Sequence, residues 1–352
     1  MAAEMQPTSG LTEAEMAQLK KRMKSAVVRT GIQCVFHPLH FSKTLIQLGH
    51  EPFPMQRGKL YWVFGRDGYC LPNYVSYARQ LAAKAGWSAV YGSVGVSLAT
   101  GLSNALGTSL GYIALDRKRP DLKARVALRD DDLHGAIHQK FRHCFRDSLA
   151  VTAGCIVASP FRVVLIRRIA SHVGGETEYN SILGGLNHIY VTEGLAGFFK
   201  GLAPLLVGEW GVIWLTGAVM LAIDRSYLAT TGKLPPVEPE EEPADDVEAK
   251  QRLSTLIHDM EGAGGLLTMA KVSVPFLVNA VVYQYQLIST VMTVNNVGLA
   301  AGIMPYAPPF NTWHDAYDFL KLVNGLKRGA KGFFRHYVGP ITFRGTNVYA
   351  SL

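Results

Sequence analysis

Three long stretches of the chain contain almost no charged side chains. No Asp, Glu, Lys or Arg lies between residues 84 and 116 or between residues 271 and 315, and Glu209 is the only one between residues 200 and 224. Each stretch is longer than the roughly 20 residues that a membrane-spanning helix requires. The apolar pattern therefore predicts an integral membrane protein made of helices.

The pattern predicts five spanning helices. The first, residues 25–48, is interrupted by Arg29, His37, His40 and Lys43, so it suits a helix that faces a protein interior rather than lipid. The other four predicted spans are residues 87–115, 144–171, 202–228 and 266–294.

The chain beyond the fifth span does not continue the pattern. The residues after Arg335 include Gly339, Pro340, Arg344 and Gly345, and they are too few and too polar for another span. We therefore expect no sixth spanning helix there.

Two further segments differ from the spans. Residues 11–24 predict a short surface helix, because Thr12 and Glu15 have the spacing of a capping box. Residues 235–248 contain seven acidic side chains and no basic one, which predicts a disordered loop.

Composition narrows the classes of function. The formal net charge is +8, which suits contact with anionic lipid head groups, but no nucleic-acid recognition motif accompanies it. The four cysteines lack the spacing of metal sites, so no metal, cofactor or disulfide framework is expected. The acidic residues near the start argue against a mitochondrial presequence, so any mitochondrial address is internal.

A heptapeptide repeat sets the predicted fold. Gly-x-x-Gly-Phe-Phe followed by a basic residue occurs at 194–200, ending in Lys200, and again at 329–335, with a weaker copy at 86–92. Such recurrence predicts similar structural units. The predicted organisation is a lead-in at 1–24, units at 25–120, 121–230 and 253–352, and the acidic loop at 231–252.

Prolines mark the ends of the first spans. Pro38 and Pro160 lie in corresponding places of units one and two, where a proline is expected to kink the helix. In the third unit Pro275 is one candidate for this place, but the spacing between units favours residues 283–285.

These features resemble the mitochondrial carrier superfamily. In that superfamily each repeat has a kinked helix ending in Pro-x-acid-x-x-basic and then a short helix beginning near Glu-Gly, as at Glu193-Gly194 here. In transporting carriers the acids and bases of this motif form a ring of ion pairs that closes the cavity. Here the acidic positions are His40, Arg162 and Gln286, and the basic positions are Lys43, Leu165 and Ser289. The resemblance therefore implies a degenerate carrier fold without the gating pairs.

Three strings resemble the mitochondrial carrier homologue family more specifically. They are Gly-His-Glu-Pro-Phe-Pro at 49–54, Val-Phe-Gly-Arg at 63–66, and the run at 294–302 that begins Val-Asn-Asn and contains Asn295 and Asn296. This resemblance implies five spans in the mitochondrial outer membrane and insertase activity toward α-helical membrane proteins. Tail-anchored and signal-anchored proteins are the implied clients.

A missing sixth helix suggests a mechanism. Its absence would leave the carrier cavity open to lipid between the fifth span and the first, as a polar groove through which a client helix moves sideways. No bond is made or broken, so an enzyme is not expected, and phospholipids crossing by the same groove would be scrambled. The predicted groove residues are Lys43, Arg162, Arg167, Glu209, Tyr283 and Gln284.

Alternatives remain at this point. Glu209 can instead neutralise a buried basic residue. The protein can also be an inner-membrane exchanger of small anions, or a non-catalytic docking receptor for outer-membrane proteins.

Overall fold

The computed structural model describes residues 11–61, 64–122, 133–231, 263–345 and 347–350. Residues 1–10 of the predicted lead-in and residues 232–252 of the predicted acidic loop lie outside these ranges. Ten α-helices are described, and they are α1 Glu13–Val35, α2 His37–Gln47, α3 Tyr74–Ala85, α4 Trp87–Tyr91, α5 Val94–Lys118, α6 Leu133–Ala170, α7 Ile182–Gly197, α8 Leu202–Thr231, α9 Ala263–Val294 and α10 Trp313–Leu322. The strands are β1 Gln56–Tyr61, β2 Phe64–Cys70, β3 His336–Tyr337, β4 Ile341–Arg344 and β5 Asn347–Ala350.

The first helical segment is longer than predicted. The capping box is confirmed, since Thr12 and Glu15 each bond to the other's backbone N–H. The helix that begins there continues to Val35, so the predicted surface helix and the first part of the predicted span 25–48 are one helix. A break at Phe36 separates it from α2, in which Pro38 occupies the first turn. Proline suits that position because no helical partner is needed for its missing N–H.

The longer helices form an arrangement with three similar parts. The helix pair α1–α2, α6 and α9 are each the first long helix of a repeat, and their C-terminal parts contact one another. Helix α5 packs between α1 and α6, and α8 packs between α6 and α9. Among the described residues no helix lies between α9 and α1, and α9 meets the first segment mainly at α2.

Glycines allow α5 and α6 to pack closely. A Cβ added at Gly107 would lie 3.0 Å from the Cα of Gly154, and one added at Gly111 would lie 3.1 Å from the Cα of Ala150. The close approach that the Gly107-x-x-x-Gly111 spacing predicts is therefore confirmed.

The three repeated heptapeptides share one backbone feature. Gly86, Gly194 and Gly329 have φ values of 84°, 67° and 69°, in the region where only glycine is unstrained. Gly86 separates α3 from α4, Gly194 lies at a kink within α7, and Gly329 lies in a third turn, before β3. This common conformation explains why the glycine recurs in all three units.

The chain after the third turn differs from the chain after the first two. Helix α5 begins soon after the first heptapeptide and α8 soon after the second, whereas the residues after Arg335 form β3, β4 and β5. Strands β1, β2 and β3 make one antiparallel sheet, and β4 pairs with β5. The prediction that no sixth helix follows Arg335 agrees with the described residues, but the pattern does not predict these strands.

Two helices meet a length and hydropathy criterion for spanning a membrane. Leu133–Ala170 and Leu202–Thr230 are each long and apolar enough to cross a membrane. The remaining predicted spans correspond to α1–α2, α5 and α9, which are helical but do not reach that combination of hydropathy and length.

Prolines affect the long helices differently. Helix α6 continues through Pro160, and α9 continues through Pro275. Neither proline ends its helix, whereas α1 ends just before Phe36, and Pro38 lies in the first turn of the next helix.

Candidate functional site: a polar cavity between the long helices

A cavity of about 530 Å³ lies between α1–α2, α5, α6 and α8. Its ionisable lining residues are His40 and Lys43 from α2, Arg162 from α6 and Glu209 from α8. Polar side chains of α1, α3 and α5 and apolar side chains of α2, α6 and α8 complete the wall. The cavity is therefore charged, although apolar helices surround it.

Lys43 and Glu209 line the cavity without an ion pair within 4 Å among the described residues, although Glu209 interacts electrostatically with Arg162 across the same cavity, which agrees in part with the alternative that it neutralises a basic residue. Neither forms an ion pair with any other described residue, and the Nζ of Lys43 lies 5.3 Å from the ring centroid of Tyr283. Such a cation–π contact is weaker than an ion pair and leaves the ammonium free to meet another group. Lys43 is therefore available to a molecule that enters the cavity, whereas Glu209 meets such a molecule in competition with Arg162.

Arg162 has a neutral partner. Its Nη2 donates a hydrogen bond of 3.2 Å to the hydroxyl of Ser289 on α9. Arg162 occupies the acidic position of the motif in the second repeat, and Ser289 occupies the basic position of the motif in the third repeat. The two residues therefore meet where a transporting carrier is expected to have an ion pair. This contact supports the repeat register that places the third motif at residues 286 and 289 rather than after Pro275.

Tyr283 connects α9 to the first segment and to the third turn. Its hydroxyl accepts a 2.9 Å hydrogen bond from Gln47 Nε2 and donates one of 2.6 Å to the backbone oxygen of Arg328. The ring is buried and touches the cavity only through Lys43. Gln284, the next residue, is half-exposed and does not line the cavity.

Arg167 lies in a different environment from Arg162. It is completely buried and forms an ion pair with Glu193 of α7, with Nη2 3.0 Å from one carboxylate oxygen. Its Nε donates to the backbone oxygen of Thr293, and Lys200 lies 2.8 Å from the same carboxylate. Arg167 does not line the cavity, so the structure separates it from the predicted groove residues.

The pKa of Glu193 reflects this cluster. Burial acts to raise the pKa of its carboxyl, but hydrogen bonds from Arg167 and Lys200 outweigh burial and lower the pKa below its ordinary value. The carboxylate therefore stays charged at neutral pH. Glu193 and Lys200, predicted as motif residues, are parts of one buried ionic cluster.

A second buried ion pair joins the third turn to the loop after α2. Arg335 pairs with Glu51 and donates a 2.8 Å hydrogen bond to the backbone oxygen of Pro72. The hydroxyl of Tyr74, which also lines the cavity, donates to the backbone oxygen of Gly329, and burial raises the pKa of Tyr74 to about 12. The turn is thus held in place beside the cavity.

Asn295 and Asn296 fold the loop that follows α9. Asn295 accepts a 2.8 Å hydrogen bond from the Phe310 N–H and donates one of the same length to the backbone oxygen of Pro308. Asn296 donates to the Phe310 oxygen at 3.0 Å and has a φ of 57°, which asparagine tolerates better than most residues. These contacts give both asparagines a structural role.

The cavity includes residues that the sequence pattern does not single out. Ser97, Thr100 and Asn104 of α5 line it, and Cys155 of α6 lies among them. The three α5 residues recur at intervals of three and four, the spacing of one helix face. A search for a small-polar face in α5 would have found them.

The chain is similar in sequence to known proteins. Residues 140–218 match the family model described as mitochondrial carrier protein. The chain is 28% identical over 310 residues to Mitochondrial carrier homolog 2 of Homo sapiens, covering 87% of this chain and 91% of that protein. It is also 28% identical over 312 residues to Mitochondrial carrier homolog 1 of Mus musculus, covering 87% of this chain and 74% of that protein.

Proposed function

Because this chain belongs to the mitochondrial carrier homologue family, we propose that it inserts α-helical proteins into the mitochondrial outer membrane through its polar cavity. Tail-anchored and signal-anchored proteins are the proposed clients. The observation that carries the proposal is the charged cavity that α1–α2, α5, α6 and α8 line, in an arrangement where no described helix lies between α9 and α1.

The side between α9 and α1 is the proposed lateral opening. Phe276, Leu277 and Val281 on α9 are 74%, 67% and 66% exposed, and Val28 and Ile32 on α1 are 59% and 56% exposed. Such apolar surfaces are suited to lipid. In this proposal α1–α2, α5, α6, α8 and α9 all cross the bilayer, and a client helix leaves the cavity sideways between the first and the last of them.

The cavity charges give the client's polar flank a place to cross. A charged residue at the centre of a bilayer costs about 2.5–3.5 kcal/mol on insertion scales, so contact with fixed charges and water lowers the barrier. Lys43 and Arg162 can meet acidic groups of the flank, and Glu209 can meet basic ones. No covalent step is required.

Exchange of small anions is the weaker alternative. A carrier that alternates between closed states needs ion pairs that form and break at the converging helix ends. Here Arg162 meets Ser289 instead of an opposite charge. Without charge pairs, the closed state lacks the electrostatic contribution that the carrier mechanism uses.

Reconstitution of the full chain into liposomes tests the proposal. We expect the protein to insert a tail-anchored helix supplied with a soluble chaperone, measured as protease protection of its short C-terminal flank. Lys43→Glu and Glu209→Arg should change the insertion rate, whereas Lys20→Glu, a matched charge reversal on an exposed part of α1, should not.

Other outcomes would distinguish the alternatives. Saturable metabolite counter-exchange without insertion would overturn the insertase proposal in favour of a carrier. Binding of clients without insertion would favour a docking receptor, and transfer of labelled phospholipid between leaflets would add scrambling by the same cavity. Protease accessibility in intact mitochondria would decide between outer and inner membrane.

A further inference from the structure

The hairpin formed by β4 and β5 has one apolar and one polar face. Paired residues of an antiparallel ladder lie on the same side, so Ile341 with Ala350 and Phe343 with Val348 form the apolar face. The opposite face carries Thr342, Arg344, Asn347 and Tyr349. All four residues of β4 are exposed, and Phe343 is 67% exposed.

Apolar exposure continues outside the hairpin in the same segment. Phe333 and Phe334 of the third turn are 70% and 54% exposed, and Val338 is 88% exposed. A group of large apolar side chains this exposed is unusual on a surface that meets only water. Something apolar is therefore expected to cover the segment.

The hairpin is attached near the ends of the long helices. The Met55 N–H donates a 2.7 Å hydrogen bond to the backbone oxygen of Val348, which ties β5 to the loop shortly after α2. Gln47, the last residue of α2, contacts Tyr283 and Thr290 of α9. The hairpin therefore adjoins the region where α2 ends against the C-terminal part of α9.

Charge identifies the kind of surface that fits this segment. Residues 321–350 contain six basic side chains and no acidic one. Lys327, Lys331 and Arg344 are exposed, and the guanidinium carbon of Arg344 lies 5.8 Å from the Tyr349 ring centroid. Basic side chains combined with exposed aromatic and aliphatic ones are typical of segments that lie in an anionic membrane interface.

We propose that the β4–β5 hairpin is an interfacial anchor whose apolar face enters the head-group layer of an anionic membrane. Ile341 and Phe343 would lie toward the acyl chains, and Arg344 and Lys331 would contact lipid phosphates. The hairpin follows the third turn, where the first two repeats have a long helix, so it would hold that end of the chain at the membrane surface beside α9. This inference does not depend on insertase activity.

Hydrogen exchange of the full chain in bilayer nanodiscs tests this anchor. We expect backbone amides in peptides covering 336–350 to exchange several-fold more slowly in equal parts phosphatidylcholine and phosphatidylserine than in phosphatidylcholine alone. High salt should reduce the difference. Arg344→Gln should reduce it by about fivefold, the factor that one basic residue near an anionic surface supplies.

A pair of variants separates the two faces. Ile341→Asn combined with Phe343→Asn should abolish the protection, while Thr342→Asn, on the opposite face of the same strand, should retain it. Unchanged exchange in peptides from β1 and β2 would show that the variants are folded. Equal exchange of the wild-type hairpin in both bilayers would overturn the proposal, and so would protection that follows protein density instead of lipid composition, because a second copy would then be the cover.

Discussion

Arg162 and Arg167 lie five residues apart on α6, and the structure gives them opposite surroundings. Arg162 is half-buried, lines the cavity and has the hydroxyl of Ser289 as its partner. Arg167 is completely buried and is neutralised by Glu193. One arginine faces a space that another molecule can enter, and the other is already satisfied within the protein.

This difference separates charges that hold the fold together from charges that remain available. A buried guanidinium needs its carboxylate, because an unpaired charge in a low-dielectric interior is strongly destabilising. A guanidinium on the wall of an open cavity, with a neutral hydroxyl as its hydrogen-bond partner, can exchange partners. The two arginines should therefore respond differently to loss of their neighbours.

The largest expected effect is at the buried pair. Glu193→Gln would leave Arg167 buried without a counter-charge, and we expect a loss of about 3–5 kcal/mol in the free energy of unfolding. The measurement is chemical unfolding of the protein in detergent. Replacing both partners, as Arg167→Met with Glu193→Leu, should recover most of the loss because no buried charge remains. A single variant as stable as the wild type would show that Arg167 is not a fixed structural charge.

A smaller effect on stability, with a larger one on function, is expected at the cavity. Arg162→Gln removes a hydrogen bond to a neutral group, so the unfolding free energy should fall by only about 1 kcal/mol. Insertion of a client with an acidic flank should nevertheless slow in the liposome assay, because the flank loses a cationic contact. Ser289→Ala is the control, since it removes the same hydrogen bond and leaves the charge in place; it also removes the bond from Ser289 to the Gly201 oxygen, so its insertion rate is compared at matched amounts of folded protein. Equal insertion by the wild type and Arg162→Gln would remove Arg162 from the proposed path.

The sequence alone does not distinguish the two arginines. Both lie just after Pro160, and the pattern predicts both to line the groove, because the position along one helix does not reveal the partners. Glu193 is 26 residues away and Thr293 is 126 residues away, so both contacts depend on tertiary structure. By contrast Lys43 and Glu209 both line the cavity, where an isolated charge in an apolar segment finds a polar surrounding.

Local backbone requirements are easier to predict than the strands. The repeated glycines and the Gly107-x-x-x-Gly111 spacing lie where a side chain would cause strain or a clash. Because only glycine lacks a side chain, the residue type alone reveals this requirement. Strands β3, β4 and β5 are two to four residues long, too short for a hydrophobic period to be recognised. The segment after Arg335 is therefore the part of the fold that the sequence pattern predicts least well.

The ionic cluster also predicts how stability depends on pH. The pKa of Glu193 is lower in the folded protein than its ordinary value near 4.5, so its contribution to stability is present above that value and is lost as pH falls through the folded pKa. We expect unfolding to become easier below about pH 4.5. Thermal unfolding of the wild type and Glu193→Gln across this range provides the measurement, and the variant should show a shallower dependence. Parallel curves would assign the acid sensitivity to other carboxylates.

The smallest expected effect concerns the residue that follows Glu193. Gly194 has a φ of 67°, and a Cβ added there would meet nothing within 4 Å, so Gly194→Ala introduces backbone strain without a clash. We expect a loss of about 1–2 kcal/mol in the free energy of unfolding.

Gly95→Ala in α5 is the matched control, because that site is equally open and its backbone is helical; alanine there should stabilise by up to about 1 kcal/mol. Opposite signs at two equally open glycines would show that the turn requires its φ angle, and therefore that the backbone next to Glu193 is fixed where Arg167 needs it. Equal effects would mean that the turn adapts, and the carboxylate would then be held by its ion pairs alone.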